Sequence, residues 1–413
     1  MKAGVLEKVF AIFTILLFTG PWIPLTVRNG GFSVDSSYTS EPSNPLTQVL
    51  FLAVYAGAIL LLGRRQCWEW AKKDRLLLLL LALAVLSISW SEDPATTCKR
   101  AFALLGTAAA SIYLASQYKT KDLIKLLAWS LGLAALASVA MALVAPAYGV
   151  MNDISPGAWQ GIYTHKNILG RVMALGAISF VFLATTSPKH RLIGWSGFLF
   201  LLLVVIESHS LTALLALLAA LSLIPVLLAL RRRPAFIPSL TLALFALALM
   251  TVWLTDSSHN VVNAFGRDPT FTGRVDLWQS ASRVIDKRPW LGHGYGTAWV
   301  GGGDDATTDI AQFSEWNAPN AHNGFLNLTL DLGFVGLILF FLATAVALHR
   351  AIRHLRVDPG MEALWPPVLL TFVLLINLME SLLLKYNSID WLLYVATLLS
   401  LAAITRVPAP DHA

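Results

Sequence analysis

The residues best suited to chemistry in this 413-residue chain are polar groups set between long apolar runs. In Ala318-Pro319-Asn320-Ala321-His322-Asn323-Gly324-Phe325-Leu326, Asn320 is a good helix N-cap and puts His322 in the first turn of a helix. The partial positive charge of a helix N-terminus disfavours imidazolium, so His322 there stays neutral near pH 7 and can accept a proton. The plainer alternative is a histidine that only caps the helix end. Thr272-Gly273-Arg274-Val275-Asp276-Leu277-Trp278 opens an amphipathic run, with Thr272 as N-cap, Pro289 as terminator, and Val275, Trp278, Ala281 and Ile285 on one face. Arg274, Arg283, Lys287 and Arg288 occupy the other faces. They suit either a helix on the membrane surface with snorkelling cations, or an arginine turned toward an anionic ligand. Three more polar places lie at the ends of apolar runs: Thr164-His165-Lys166-Asn167 with Arg171, Glu207 with His209, and Glu380 with Lys385 and Asp390. Local ion pairs would explain each alone, but together they project to one side, where a cationic, partly buried pocket would suit a phosphate-bearing amphiphile. No DxD or dense carboxylate–histidine set occurs, so the sequence requires no divalent metal.

The elements that must position these groups follow from composition. The chain is 56% hydrophobic and 13% charged, with a mean hydropathy of +0.65, against about 25% charged residues in an average soluble domain. That excludes two or three soluble domains, and ordinary Gly and Pro with two cysteines exclude collagen, disorder and a disulfide scaffold. An all-α polytopic membrane protein remains, read as one integral membrane domain over residues 1–413. A ruler of about 20 apolar residues per span gives twelve candidates, at 8–27, 45–62, 76–91, 101–117, 123–145, 167–186, 192–206, 211–230, 236–254, 333–349, 366–384 and 390–405. Only Glu207-Ser208-His209-Ser210 separates the seventh from the eighth, so a ten-span count is the main rival. The first span follows Lys2 and Lys8, but Pro21-Trp22-Ile23-Pro24 is a poor cleavage region, which favours an anchor over a signal peptide.

With both termini inside, 19 of the 30 Lys and Arg fall on inner segments, Lys72, Lys73, Arg231 and Arg350 among them, as the positive-inside rule requires. Cys67 and Cys98 then lie on opposite faces and cannot pair. The longest outer segment, 255–332, is the one stretch able to form an extramembrane layer. Besides the two motifs above it holds Gly292-His293-Gly294-Tyr295-Gly296, a flexible loop or tight interhelical turn that could also serve as a lid. The net charge of +6 therefore divides into cations that set orientation and outer cations that topology leaves unexplained. Nucleic-acid binding is dropped.

Phe271-Thr272-Gly273-Arg274, Arg288-Pro289-Trp290-Leu291-Gly292-His293-Gly294-Tyr295-Gly296 and Ala321-His322-Asn323-Gly324-Phe325-Leu326 resemble the signature of the O-antigen ligase and polymerase superfamily. His322-Asn323, nine residues, Gly333 and then Gly336 is similar to that family's histidine-centred motif. Gly161-Ile162-Tyr163-Thr164-His165-Lys166-Asn167-Ile168-Leu169-Gly170-Arg171 resembles the branch that polymerises exopolysaccharide.

The resemblance implies a GT-C-like glycosyltransferase of about twelve transmembrane helices with its large periplasmic loop between helices 9 and 10. It would sit in the bacterial inner membrane with both termini cytoplasmic and its active site at the periplasmic face. Such an enzyme is inverting and metal-independent, needs no cofactor, and moves glycan from a polyprenyl (undecaprenyl) diphosphate to a glycan or lipid-linked acceptor. His322 is implied as base and Arg274 as the cation that stabilises the leaving diphosphate. Lys166, Arg171, His165, Arg267, Asn323, Glu207, His209 and Glu380 are implied as binding residues for diphosphate or glycan. Implied partners are membrane lipids and a chain-length regulator or export partner. The rival within the superfamily is an O-antigen ligase acting on lipid A-core. A polysaccharide or lipid transporter is the rival outside it, disfavoured because no long central cytoplasmic loop joins two six-span halves.

Overall fold

The computed structural model describes residues 4–21, 45–64, 67–152, 155–232, 274–299, 310 and 320–404. Its main helices are α1 (Val5–Phe18), α2 (Pro45–Arg64), α3 (Arg75–Leu86), α4 (Pro94–Gln117), α5 (Thr120–Val144), α6 (Lys166–Thr186), α7 (Arg191–Glu207), α8 (Leu211–Arg232), α9 (Arg274–Lys287), α10 (Gly324–Val357), α11 (Trp365–Ile376) and α12 (Ile389–Ile404). The chain is an all-α polytopic membrane protein, and among the described residues six helices are long and apolar enough to cross a membrane. Each proposed span except 236–254, which lies outside the described residues, overlaps one of these helices, but the eleventh, 366–384, is helical only to Ile376 and continues as a loop. The seventh and eighth are separate helices, α7 and α8, turning at Ser208-His209-Ser210 with His209 at φ 50°. That removes the argument for merging them.

Burial ranks the helices. α6 has 83% of its apolar window inside the protein, against 28% for α2. α12 is buried along nearly its whole length. Lipid meets the outer helices through residues such as Leu136, Leu203 and Phe341. Polar side chains at the ends of α6 and α12 therefore project into protein, where each needs a partner.

Two sets of contacts fix the ends of the bundle. At the end that the distribution of cations assigns to the inside, Asp74 caps α3 through the amide of Leu77 and receives Arg350 at 2.5 Å. There too the Arg231 guanidinium donates to the carbonyls of Leu355, Pro359 and Gly360. At the other end the turn between α3 and α4 is stitched to the glycine-rich turn after α9. Trp90 Nε1 donates to Leu291 O at 3.1 Å, and Glu92 N to His293 O at 3.1 Å. This second end is the one that the distribution of cations assigns to the outside.

The glycine-rich turn is a packed junction, not a lid. His293 and Gly294 donate their amides to the carbonyls of Leu330 and Asp331 in α10. Arg100 donates to the Gly296 carbonyl, and Tyr295 OH donates to the Leu384 carbonyl. Gly333 breaks α10 at φ 64° into an outer segment, 324–332, and a crossing segment, 334–357. A Cβ there would stand 2.2 Å from the Trp290 carbonyl. The amides of Phe334 and Val335, freed by the break, donate to Pro289 O and Trp290 O at 2.7 and 3.2 Å.

Candidate active site at the outer end of the bundle

The site is assembled from α6, α9, the start of α10, and the loop 377–388 between α11 and α12. That loop is its hub. Asn377 folds it by accepting Leu382 N on its own Oδ1 and Gly324 N on its carbonyl, both at 2.8 Å. Met379 receives the Arg274 guanidinium, Glu380 receives Asn167 Nδ2 at 3.1 Å, and Ser381 Oγ receives Asn323 N at 3.2 Å. Asn387 donates its amide to Thr107 of α4 at 3.0 Å and accepts the Tyr55 hydroxyl of α2. Leu384 and Asn387 adopt φ of 51° and 57°, conformations a non-glycine chain keeps only when its surroundings hold it there.

His322 is buried, with 3% of its surface exposed. The expected capping geometry shifts by three residues: Asn323 is the N-cap, accepting Phe325 N and Leu326 N at 3.0 and 3.2 Å. His322 therefore lies before the helix, not in its first turn, at φ 47°. Asn320 has a different task, accepting the His322 amide on Oδ1 at 2.8 Å and holding this left-handed residue. Trp278 of α9 completes the clamp by donating its indole N–H to Ala321 O at 2.8 Å. His322 is neutral as expected, but for another reason. Burial first, then electrostatic interaction with Arg274, His165 and Lys385, pulls its pKa down to about 3.

The α9 cations divide between the two readings open in the sequence. Arg283, Lys287 and Arg288 are exposed, while Arg274 is half-buried over the hub loop. The apolar face is Leu277, Ala281, Val284 and Ile285, packed with Ala298, Ile310 and Leu330. Trp278 lies half-buried at its edge, rotated from the expected stripe.

At the start of α6, His165 is the N-cap, its Nδ1 accepting Asn167 N at 3.2 Å. That bond fixes the tautomer with hydrogen on Nε2. Lys166 is the first helical residue and half-buried. Arg171, one turn further in, pairs with Asp390 of α12 at 3.4 Å, the side chains 10% and 1% exposed. Lys385 acts electrostatically on His322, and Arg171, Arg274 and Lys385 all act on Glu380.

The structure thus brings His322, Arg274, His165, Arg171, Asn323 and Glu380 into one cluster, with Lys166 at its edge. Glu207 and His209 stand exposed at the α7–α8 turn, where the Glu207 carbonyl accepts Trp159 N at 2.9 Å. Among the described residues no side-chain hydrogen bond or ion pair joins either to the cluster. Arg267 and Phe271-Thr272-Gly273 lie outside the described residues, as do 255–270, 300–309 and 311–319. Sequence reasoning passed over Lys385, noted only as a flank of its turn, and the hub loop that carries it. The available signal was a lysine and two carboxylates within eleven residues between two apolar spans. No group of three or more His, Cys, Asp or Glu among the described residues could hold a metal.

Residues 196–341 match the family described as O-antigen ligase. This region contains Arg274, the glycine-rich turn, His322 and Gly333, but neither α6 nor the hub loop. The chain is also 28% identical over 208 residues to the exopolysaccharide production protein ExoQ of Rhizobium meliloti. That similarity covers 47% of this chain and spans about half, 47%, of the relative's length. Both matches cover less than half of the chain, and both agree with its resemblance to the O-antigen ligase and polymerase superfamily.

Proposed function

We propose that this protein is a glycosyltransferase of the bacterial inner membrane. It transfers glycan from a polyprenyl diphosphate to an acceptor sugar hydroxyl at the periplasmic face, extending an exopolysaccharide or O-antigen chain. The observation that carries this reading is the burial of a neutral His322 within one cluster with Arg274, His165 and Lys385. An acceptor hydroxyl needs a basic nitrogen, and a departing diphosphate needs fixed cations. The two requirements reinforce each other here. Arg274 and Lys385 help to keep His322 weakly basic while the site is empty. A bound diphosphate would offset their charge, so donor binding raises the basicity of His322 when an acceptor has to be deprotonated. Inversion follows if acceptor and diphosphate occupy opposite faces of the anomeric carbon.

Purified protein incubated with a defined undecaprenyl-diphosphate oligosaccharide should release undecaprenyl diphosphate and build a ladder of longer glycans. His322→Ala should abolish both while remaining inserted and monodisperse. Wild-type product from that variant would remove His322 from the chemistry. A second reading, transfer of finished glycan to lipid A-core, is favoured by the description of the matched family as O-antigen ligase. Modified lipid A-core in place of a ladder would establish it.

A further inference from the structure

The cations at the outer end differ in what they have left to offer a ligand. Arg100 is committed to the Gly296 carbonyl. Arg171 faces the Asp390 carboxylate at 3.4 Å in a nearly solvent-free pair, so its charge is largely offset. Arg274 rests on the carbonyl and sulfur of Met379, which orient the guanidinium without neutralising it. Lys385 is half-buried in the hub loop, anchored by its amide to Leu382 O at 3.3 Å and flanked by Leu384 in a left-handed conformation. Among the described residues no carboxylate comes within 4 Å of its ammonium, although Glu380 and Asp390 both act on it from further away. Lys385 and Arg274 belong to different elements, the hub loop and α9, and both act on His322 electrostatically.

We propose that Lys385 is a substrate-binding residue which, with Arg274, holds the diphosphate of the lipid-linked donor, while Arg171 supports the site through Asp390. This rests on the reading of the site as one for a polyprenyl diphosphate. A compact ammonium on a flexible stem can follow the diphosphate as it becomes a leaving group, whereas the Arg274 fork is held by the Met379 carbonyl. Burial, and then Arg171, bring Lys385 down to about 8, with Glu380 and Asp390 opposing. Its charge in the empty site is therefore sensitive to mildly alkaline pH, and a bound anion would restore it.

The test measures binding of undecaprenyl diphosphate and of undecaprenol to the full-length protein in nanodiscs, for wild type, Lys385→Met and Lys385→Arg. Lys385→Met should bind the diphosphate at least tenfold more weakly than wild type. Lys385→Arg should stay within about threefold, and undecaprenol binding should be the same in all three. From pH 7 to pH 9.5 the wild-type affinity for the diphosphate should fall more steeply than that of Lys385→Arg, because arginine stays charged. Equal diphosphate affinity in wild type and Lys385→Met overturns the assignment of Lys385 and leaves the donor reading standing. A wild type that does not prefer the diphosphate over undecaprenol overturns that reading and this assignment with it. Loss of both ligands in both variants marks a structural role and overturns the assignment as well.

Discussion

The indole nitrogen of Trp278 stands 2.8 Å from the carbonyl oxygen of Ala321, one residue before His322. Through this bond the amphipathic helix α9 fixes the backbone that presents the histidine, and the same helix supplies Arg274. Trp278→Phe leaves the buried Ala321 carbonyl without its donor, at a cost of roughly 1–3 kcal/mol. The glycan ladder should slow at least tenfold with little change in donor binding. A rate within twofold of wild type would mean that the clamp is dispensable.

The depressed pKa of His322 has a consequence for stability. Its folded value of about 3 lies below the ordinary 6.5, so the unfolded chain takes up a proton that the folded protein refuses. The stability from this group is fully present above pH 6.5 and is lost as pH falls toward 3. Thermal midpoints in detergent should therefore drop more steeply from pH 7 to pH 4.5 for wild type than for His322→Gln, by at most one proton's worth of linkage. Parallel curves would show that His322 is ordinarily basic.

Arg171 and Asp390 join the two most buried helices. Asp390→Asn leaves the guanidinium uncompensated and should cost about 3–5 kcal/mol. Arg171→Met combined with Asp390→Leu should recover most of that stability in a thermal melt, since matched apolar side chains often replace a buried pair at little cost. A double variant as unstable as Asp390→Asn would contradict this account.

Gly333 and Gly63 make a matched contrast. Gly333→Ala drives a Cβ into the Trp290 carbonyl at φ 64°, and the protein should fail to accumulate in the membrane. Gly63→Ala, near the end of α2, meets nothing within 4 Å and should express and melt like wild type or slightly better. Comparable expression of the two variants would argue against a left-handed break in α10.

Much of this was legible in the sequence because apolar length is a coarse signal that lipid enforces. The spans from 45–62 to 211–230 are found as helices for that reason, most within a few residues, though α4 begins seven residues before its expected start at 101. The spacing from His322 to Gly333 was legible too, and it has a physical meaning: nine residues are the outer segment of α10, closed by a left-handed glycine. The Arg171–Asp390 pair was not legible, since 219 positions separate its members and either could have snorkelled instead. The cap at Asn323 was missed because Asn320 has the same chemistry three residues earlier. The amides that each side chain accepts distinguish them: Phe325 N and Leu326 N for Asn323, His322 N for Asn320. The hub loop was overlooked because its role rests on amides and carbonyls, which composition does not display.

That loop also sets the order in which the cluster can assemble. Residues 377–388 leave the ribosome after Arg171, Arg274 and His322 are already in the chain, and α11 and α12 flank them on either side. Until those helices enter the bilayer, Arg274 lacks its seat, Arg171 lacks Asp390, and the turn before α10 lacks Ser381. Assembly of this cluster thus waits on the insertion of α11 and α12, and a chain inserted only as far as α10 carries its histidine motif without these partners.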